Sequence, residues 1–229
     1  MEPSQEKAPL LFTIAVLGGT GKQGKGLAYR WAKAGYRVLV GSRTPEKAVH
    51  AASEIMELLE GSSSVVGMNN TEAARTADIV VITVPYDAHK ATLESIKDFL
   101  TGKMLIDVTV PLGKPKNKVQ LPAGGSATLE AKAIMGENVE VVSAFQNISP
   151  EYFMTEDEVD CEVLVTGSSK AARLEAIKLI EAAGFTAWDA GPIENSVVIE
   201  GLTSVLININ KQYGSTHAGI KITGASNKQ

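Results

Sequence analysis

"LFTIAVLGGTGKQGKG", residues 11–26, carries an apolar run straight into a segment with five glycines and no bulky side chain where the chain must turn. Phe12 to Leu17 has the length and composition of a strand, and Lys25 to Ala34 places Leu27, Trp31 and Ala34 at helical spacing before Gly35. The local reading is strand, turn, helix. Gly19, Gly21 and Gly24 fit the spacing G-x-G-x-x-G. In that pattern one glycine permits the turn, one lets the backbone approach a pyrophosphate, and one lets the helix pack closely on the strand. The anion sits at the helix amino end, where unpaired N–H groups and the helix dipole favour negative charge.

Working outward, the alternation continues. Strands are expected at Arg37 to Val40, Ser64 to Met68, Asp78 to Val84, Met104 to Val108 and Val139 to Ser143, with helices at Pro45 to Leu59, 87–100 and 126–135. Asp78 to Val84 is almost wholly β-branched or apolar, as a strand covered on both faces must be, and the next two strands repeat the pattern, so a parallel sheet with right-handed crossovers is predicted. The fold class is α/β, a doubly wound parallel sheet of the Rossmann type. Beyond it, strands at 161–166 and 186–189 flank a helix at 169–183, and a mostly apolar helix spans 193–213. This reads as a small C-terminal α/β domain ending in a long apolar helix. Residues 1–145 are expected to form the nucleotide-binding domain, with 1–9 a disordered leader, and 146–229 an acceptor-binding and dimerisation domain. Pro111 to Gly125 is dense in turn residues and reads as a surface loop placed to act as a lid.

Composition narrows the classes of partner. The 229 residues carry a net charge of -4 with 44% hydrophobic and 21% charged residues, which lacks the basic excess of a nucleic-acid binder. The single cysteine, Cys161, excludes an internal disulfide and fits a reducing compartment, so a cytoplasmic location is expected. No apolar run reaches the length of a membrane span. The acidic run Glu156, Asp157 and Glu158 with Asp160 reads as a solvated face, and no metal site is expected.

The nucleotide is indicated at the end of the second strand. An NAD site there uses a carboxylate on the adenosine ribose. This chain instead reads Val40, Gly41, Ser42, Arg43. The guanidinium of Arg43 and the hydroxyl of Ser42 suit a 2′-phosphate, with Lys47 adding a point charge on the same side, so the cofactor is expected to be NADP.

The stretches VLGGTGKQGKGLAYRWAKAGYRVLVGSRTPEKA, DIVVITVPYDAH, VEVVSAFQNISPEYF and WDAGPIENSVVIEGLTSVLININ, with GIKI near the end, resemble the NADPH-dependent coenzyme F-420 reductases. That family shares its nucleotide domain with ferric reductases of the STEAP group. The resemblance implies that Thr20, Gly21, Lys22 and Gln23 line the pyrophosphate and that Ser42, Arg43 and Lys47 line the 2′-phosphate. It also implies that Val84, Pro85 and Tyr86 border the adenosine and ribose, and that Val110 and Ala144 lie near the nicotinamide. The co-substrate it implies is coenzyme F-420. One departure stands out: the family often has a histidine after Ser-Ala-Phe, where this chain has Gln146 followed by Asn147, two amides able to hydrogen-bond a deazaflavin's polar edge.

Hydride transfer between a nicotinamide and a deazaflavin is chemistry the cofactors supply, so no catalytic side chain is assigned. His50, His89 and His217 read as structural or solvated histidines. Gly18, Gly21 and Gly24 also fit G-x-x-G-x-x-G, which resembles atypical short-chain dehydrogenases and redox sensors. Their Tyr-x-x-x-Lys pair would have to be Tyr29 with Lys33 or Tyr86 with Lys90, neither in the place that chemistry needs. Val198, Leu202, Val205 and Ile209 form an apolar stripe on the last helix, broadened by Ile199, Leu206 and Ile207, implying burial against the rest of the chain, a second subunit in a homodimer, or both. Asn195, Thr203 and Asn208 interrupt that helix and are candidates to face the acceptor. The competing readings are reduction of free flavin or ferric chelates, and a non-catalytic NADP-binding redox sensor.

Overall fold

β1 (Thr13–Leu17), β2 (Arg37–Ser42), β3 (Val65–Asn69), β4 (Ile79–Ile82), β5 (Met104–Asp107) and β6 (Glu140–Ser143) alternate with α1 (Lys22–Lys33), α2 (Pro45–Leu58), α3 (Asn70–Thr76), α4 (Tyr86–Ile96) and α5 (Ala127–Met135). β7 (Glu162–Gly167), α6 (Lys170–Ala182), β8 (Thr186–Pro192) and α7 (Ser196–Tyr213) complete the chain. The computed structural model describes residues 12–61, 63–155 and 159–225. The leader expected at residues 1–9 and the carboxylates of Glu156, Asp157 and Glu158 lie outside the described residues.

All strands share one sheet in the order β3-β2-β1-β4-β5-β6-β7-β8. The alternation of side chains along β1 shows why its sequence is apolar throughout. Ile14 and Val16 enter a core with Leu27 and Trp31 of α1, while Ala15 and Leu17 enter a second core with Leu93 and Ile96 of α4. The sheet order reverses at β1 and β4, where α1 and α4 leave on opposite faces, and a crevice opens there at the strands' carboxyl ends.

One pairing departs from the all-parallel expectation. β7 runs antiparallel to β6, through Val142↔Gly167 and Ser143↔Thr166, and β8 then pairs parallel to β7. After β6 the chain does not cross back over a face of the sheet. Phe145 and Phe153 pack edge-on 5.9 Å apart beneath α1, and Arg30 of α1 donates to the carbonyls of Tyr152, Phe153 and Thr155. The chain therefore re-enters the sheet from its carboxyl edge. The C-terminal α/β unit thus continues the same sheet rather than building one of its own.

α3 has no counterpart in the expectations from sequence, yet its signal is present. Asn69 accepts from the Glu72 N–H at 2.8 Å and donates its own amide to the Glu72 carboxylate, a reciprocal cap over the first turn. In the glycine loop, Gly18 takes the left-handed turn at φ 76°, and a Cβ at Gly24 would lie 2.5 Å from Thr83 Oγ1 and 2.8 Å from the Gly18 carbonyl. The turn thus uses Gly18, while Gly24 allows α1 to touch the sheet.

α7 divides its expected apolar face. Ile199 and Leu206 lie on the inward edge with Ser196, Glu200 and Ser204, while Val198, Val205 and Ile209 are 65%, 49% and 38% exposed. Among the described residues, no helix is long and apolar enough to cross a membrane.

Candidate functional site

The crevice is a cleft of about 780 Å³ floored by the glycine loop and the ends of β2, β4 and β5, and closed on one side by α7. Thr20, Gly21, Lys22, Gln23 and Gly24 line it at the start of α1. Ser42, Arg43 and Lys47 line it after β2, and Val84, Pro85 and Val110 after β4 and β5. Gln146, Asn147 and Thr203 line the side toward α7. Gly19 and Ala144 are buried beneath the surface.

Three candidates stand outside the lining. Tyr86 turns its hydroxyl to Glu130 at 2.8 Å, Asn195 donates to the Ala190 carbonyl at 2.8 Å, and Asn208 accepts from Asn117 at 3.1 Å. α7 is rotated so that Thr203, Leu206, Ile207 and Asn210 face the cleft instead. Neither Tyr-Lys pair enters it: Tyr29 is buried in α1, and Lys90 pairs with Glu94 on the exposed side of α4. The loop expected at 111–125 does border the cleft through Leu112 and Lys116, and it is tied to α7 by Asn117 and by the Lys118 carbonyl, which accepts from Ser204.

At the β1–β2 end the cleft is built for an anion. Gly21 caps α1 without a side-chain bond, no acidic residue occupies the first turn, and the first N–H groups of a helix have no intrahelical acceptor. A Cβ at Gly21 would meet only the Gly18 carbonyl, at 3.6 Å, so this is where backbone can meet ligand most closely. Lys22, Arg43, Lys47 and Lys116 are the cations among the described lining residues, which include no carboxylate. Arg43 and Lys47 make no hydrogen bond or ion pair with another described side chain, whereas Ser42 accepts from the Thr44 N–H at 3.1 Å and keeps its own proton free to donate. Asn70 was not foreseen from the sequence: it is buried against Gly41, lines the same end, and leaves its Oδ1 without a partner. A buried acceptor of this kind calls for a donor from a ligand or water.

At the other end the amides divide their work. Asn147 is spent on β7, donating to the Glu162 carbonyl at 2.7 Å. Gln146 donates to the Asp107 carbonyl at 2.7 Å, which turns its Oε1 the other way, buried and unpartnered. Thr203 donates to the Gln146 carbonyl at 2.8 Å and so links α7 to the cleft wall.

Behind this wall lies a buried group of ionisable side chains. His89 Nε2 and Asp107 Oδ2 are 2.7 Å apart, at 1% and 0% side-chain exposure, and Asp107 also accepts from the Thr109 N–H. Burial opposes charge on His89, but the hydrogen bond and charge of Asp107, with Glu200 and Glu130, outweigh it and raise its pKa above the ordinary histidine value. Burial, reinforced by the bond to Glu130, pushes Tyr86 up to about 12. Glu200 is pushed up to about 7 by burial, with the Asp107 charge adding to it and the bonds from Thr128 and Ala127 opposing it. His89 thus fits the structural role expected for it; His50 and His217 are exposed. Among the described residues no group of three or more His, Cys, Asp or Glu is arranged to hold a metal.

A glycine turn feeding an uncapped helix, a cleft at the sheet's switch point with no carboxylate among its described lining residues, and cations after β2 define a nicotinamide-dinucleotide-binding protein of the doubly wound α/β class. Residues 13–111 match the family described as NADP oxidoreductase, coenzyme F420-dependent. The chain is 41% identical over 222 residues to the F420-dependent NADP reductase of Methanothermobacter thermautotrophicus, covering 93% of this chain and 96% of the relative. It is 42% identical to that of Methanothermobacter marburgensis, over 92% and 97%. A crystal structure from Arthrobacter sp. fb24, carrying an inferred F420-dependent NADP-reductase assignment, superposes with a TM-score of 0.79 at 25% identity, over 93% of this chain and 99% of that one. The chain belongs to the F420-dependent NADP reductase family.

Proposed function

We propose that this protein is an oxidoreductase that transfers a hydride between NADP(H) and coenzyme F-420. The observation that carries the nucleotide half is the set of free cations after β2 beside an anion-ready helix end, with no carboxylate among the described lining residues. Thr20, Gly21, Lys22 and Gln23 would hold the pyrophosphate, with Gly18 making the turn and Gly24 the close packing of α1 beneath it. Ser42, Arg43 and Lys47 would hold the 2′-phosphate, and the unpartnered Asn70 Oδ1 supplies an acceptor for a donor on the adenosine. Val84 and Pro85 border the adenosine ribose, and Val110, above the buried Ala144, borders the nicotinamide.

When bound, the two cofactors supply the hydride donor and acceptor carbons. What the chain contributes is orientation and exclusion of water. Gln146, Asn147 and Thr203 form the wall against which the acceptor lies, Gln146 alone of the three having a free buried acceptor oxygen. Within the single sheet, residues 1–145 serve the nucleotide and 146–229 the acceptor and the contact between subunits. The outward apolar edge of α7, with exposed Val119 and Leu121 on the neighbouring loop, is the surface through which two chains pair as a homodimer. The acidic net charge, the lone buried cysteine and the small-molecule cleft fit a cytoplasmic enzyme without nucleic-acid or membrane partners.

The test mixes the purified protein with NADPH and oxidised F-420 and follows both absorbances. One-to-one loss of both absorptions is expected. Turnover on free flavin or ferric chelates with none on F-420 would move the acceptor to those classes, and nucleotide binding without turnover on any acceptor would make the protein a sensor.

A further inference from the structure

We propose that Glu200 is the positioning residue of the acceptor half of the cleft: seated on the first turn of α5, it fixes where α7 lies along its axis and therefore where Thr203, Leu206, Ile207 and Asn210 stand. The inference rests on the reading that the acceptor lies under α7.

A carboxylate buried to 3% exposure is costly unless its oxygens are satisfied. Glu200 is satisfied by one partner element. Its Oε2 accepts from the Ala127 N–H at 2.8 Å, and its Oε1 from the Thr128 N–H at 3.0 Å and the Thr128 hydroxyl at 2.8 Å. These N–H groups belong to the unpaired first turn of α5, whose positive end favours an anion, and Ser126 caps the next donor, the Leu129 N–H, at 3.0 Å.

The bonds continue along the same edge of α7. One turn before Glu200, Ser196 and Ser126 share a hydroxyl–hydroxyl bond of 2.7 Å; in the turn after it, Thr203 reaches the Gln146 carbonyl. At about 1.5 Å of rise per residue, Thr203 lies roughly 4.5 Å along the axis from Glu200, so a shift at the carboxylate reaches the cleft wall undamped. Apolar contacts would let the helix slide, whereas three directional bonds to one turn set its register. Further along α7 the restraints are single bonds, from Asn117 to Asn208 and from Ser204 to the Lys118 carbonyl.

The charged form is the one that fits. Ala127 and Thr128 present N–H donors, to which an ionised carboxylate makes stronger, charge-assisted bonds than a protonated one. The ionisable groups around it are Asp107 of β5, His89 and Tyr86 of α4, and Glu130 of α5. Protonation near pH 7 relieves the burial cost but weakens these three bonds, so the register of α7, and with it the acceptor half-site, loosens as pH falls.

The experiment compares wild type with Glu200→Gln in the full chain. The variant keeps the side chain's size but places an NH₂ against N–H donors. The KM for F-420 should rise about tenfold while the dissociation constant for NADPH, read by fluorescence, stays within about twofold. The wild-type KM for F-420 should rise between pH 8 and pH 6, and that of the variant should be flat. Thr128→Val, which removes one of the three donors, should give an intermediate rise. Hydrogen exchange of α7 reads the same seat without any acceptor: amides near 197–207 should exchange faster in Glu200→Gln, with α1 unchanged. Wild-type turnover of F-420 together with an unchanged KM, pH profile and exchange pattern in the variant would overturn this inference and leave the function intact. Equal weakening of NADPH and F-420 would also overturn it, because that is the signature of a merely structural residue.

Discussion

Replacing Arg43 with alanine tests the nucleotide assignment most directly. Arg43 is exposed and makes no hydrogen bond or ion pair with another described side chain, so folding should change by no more than about 0.5 kcal/mol. Its effect should appear only with a 2′-phosphate. Unit charges about 4 Å apart attract by roughly 1 kcal/mol in water and roughly 4 kcal/mol near a protein surface. An open cleft edge lies toward the lower part of that range, so a loss of about 2 kcal/mol is expected, or about 30-fold in the KM for NADPH. NADH lacks the phosphate and should be affected less than twofold. The assay is the steady-state KM for each nucleotide at saturating F-420, repeated at about 0.1 and 1 M salt, where the screening length falls from about 10 to 3 Å and the difference should shrink. Equal weakening of both nucleotides, or none of either, would refute the claim that a cation has replaced the ribose-binding carboxylate.

Gly24→Ala would place a Cβ 2.8 Å from both the Gly18 carbonyl and Gly19 Cα, backbone that cannot yield cheaply, and should lower stability by about 1–3 kcal/mol in denaturant titration while abolishing NADPH binding. If two chains pair through α7 as proposed, Val205→Glu combined with Ile209→Glu should give a monomer in light scattering without weakening NADPH; a wild-type monomer at micromolar concentration would remove the dimer proposal. Glu200 also predicts a pH slope. Its folded pKa of about 7 exceeds the ordinary 4.5, so the folded state holds the proton more tightly and stability falls as pH rises from 4.5 to 7. The loss amounts to about 3 kcal/mol. His89, also raised, acts in the same direction above the ordinary histidine pKa. Melting curves of wild type should carry this slope across that range and those of Glu200→Gln should lose most of it; parallel curves would show that Glu200 is not titrating there.

Much of the nucleotide half was legible because its determinants are local. A strand, a glycine turn and a helix are consecutive in the chain, and Ser42 and Arg43 follow directly on the next strand, so spacing alone brings them to one sheet edge. The Asn69–Glu72 cap of α3 was equally local, and a search for N-x-x-E would have found it. Asn70 was not legible, since its value lies in a buried oxygen left without a partner.

The acceptor half resisted reading for a different reason. A helix sequence shows which residues share a face but not which face is turned inward. Val198, Val205 and Ile209 of α7 point to solvent, and Ser196, Glu200 and Ser204 join Ile199 and Leu206 on the inward edge, because polar partners on α5 and on the loop after β5 stand there. That same rotation took Asn208 out of the cleft and left Thr203 in it. The order of elements, the phosphate turn and the choice of nucleotide follow from the chain itself, through contacts between near neighbours in sequence. The antiparallel entry of β7, the buried group around Asp107 and the seating of α7 depend on residues some 20 to 70 positions apart meeting in the packed fold, and only the tertiary structure decides those.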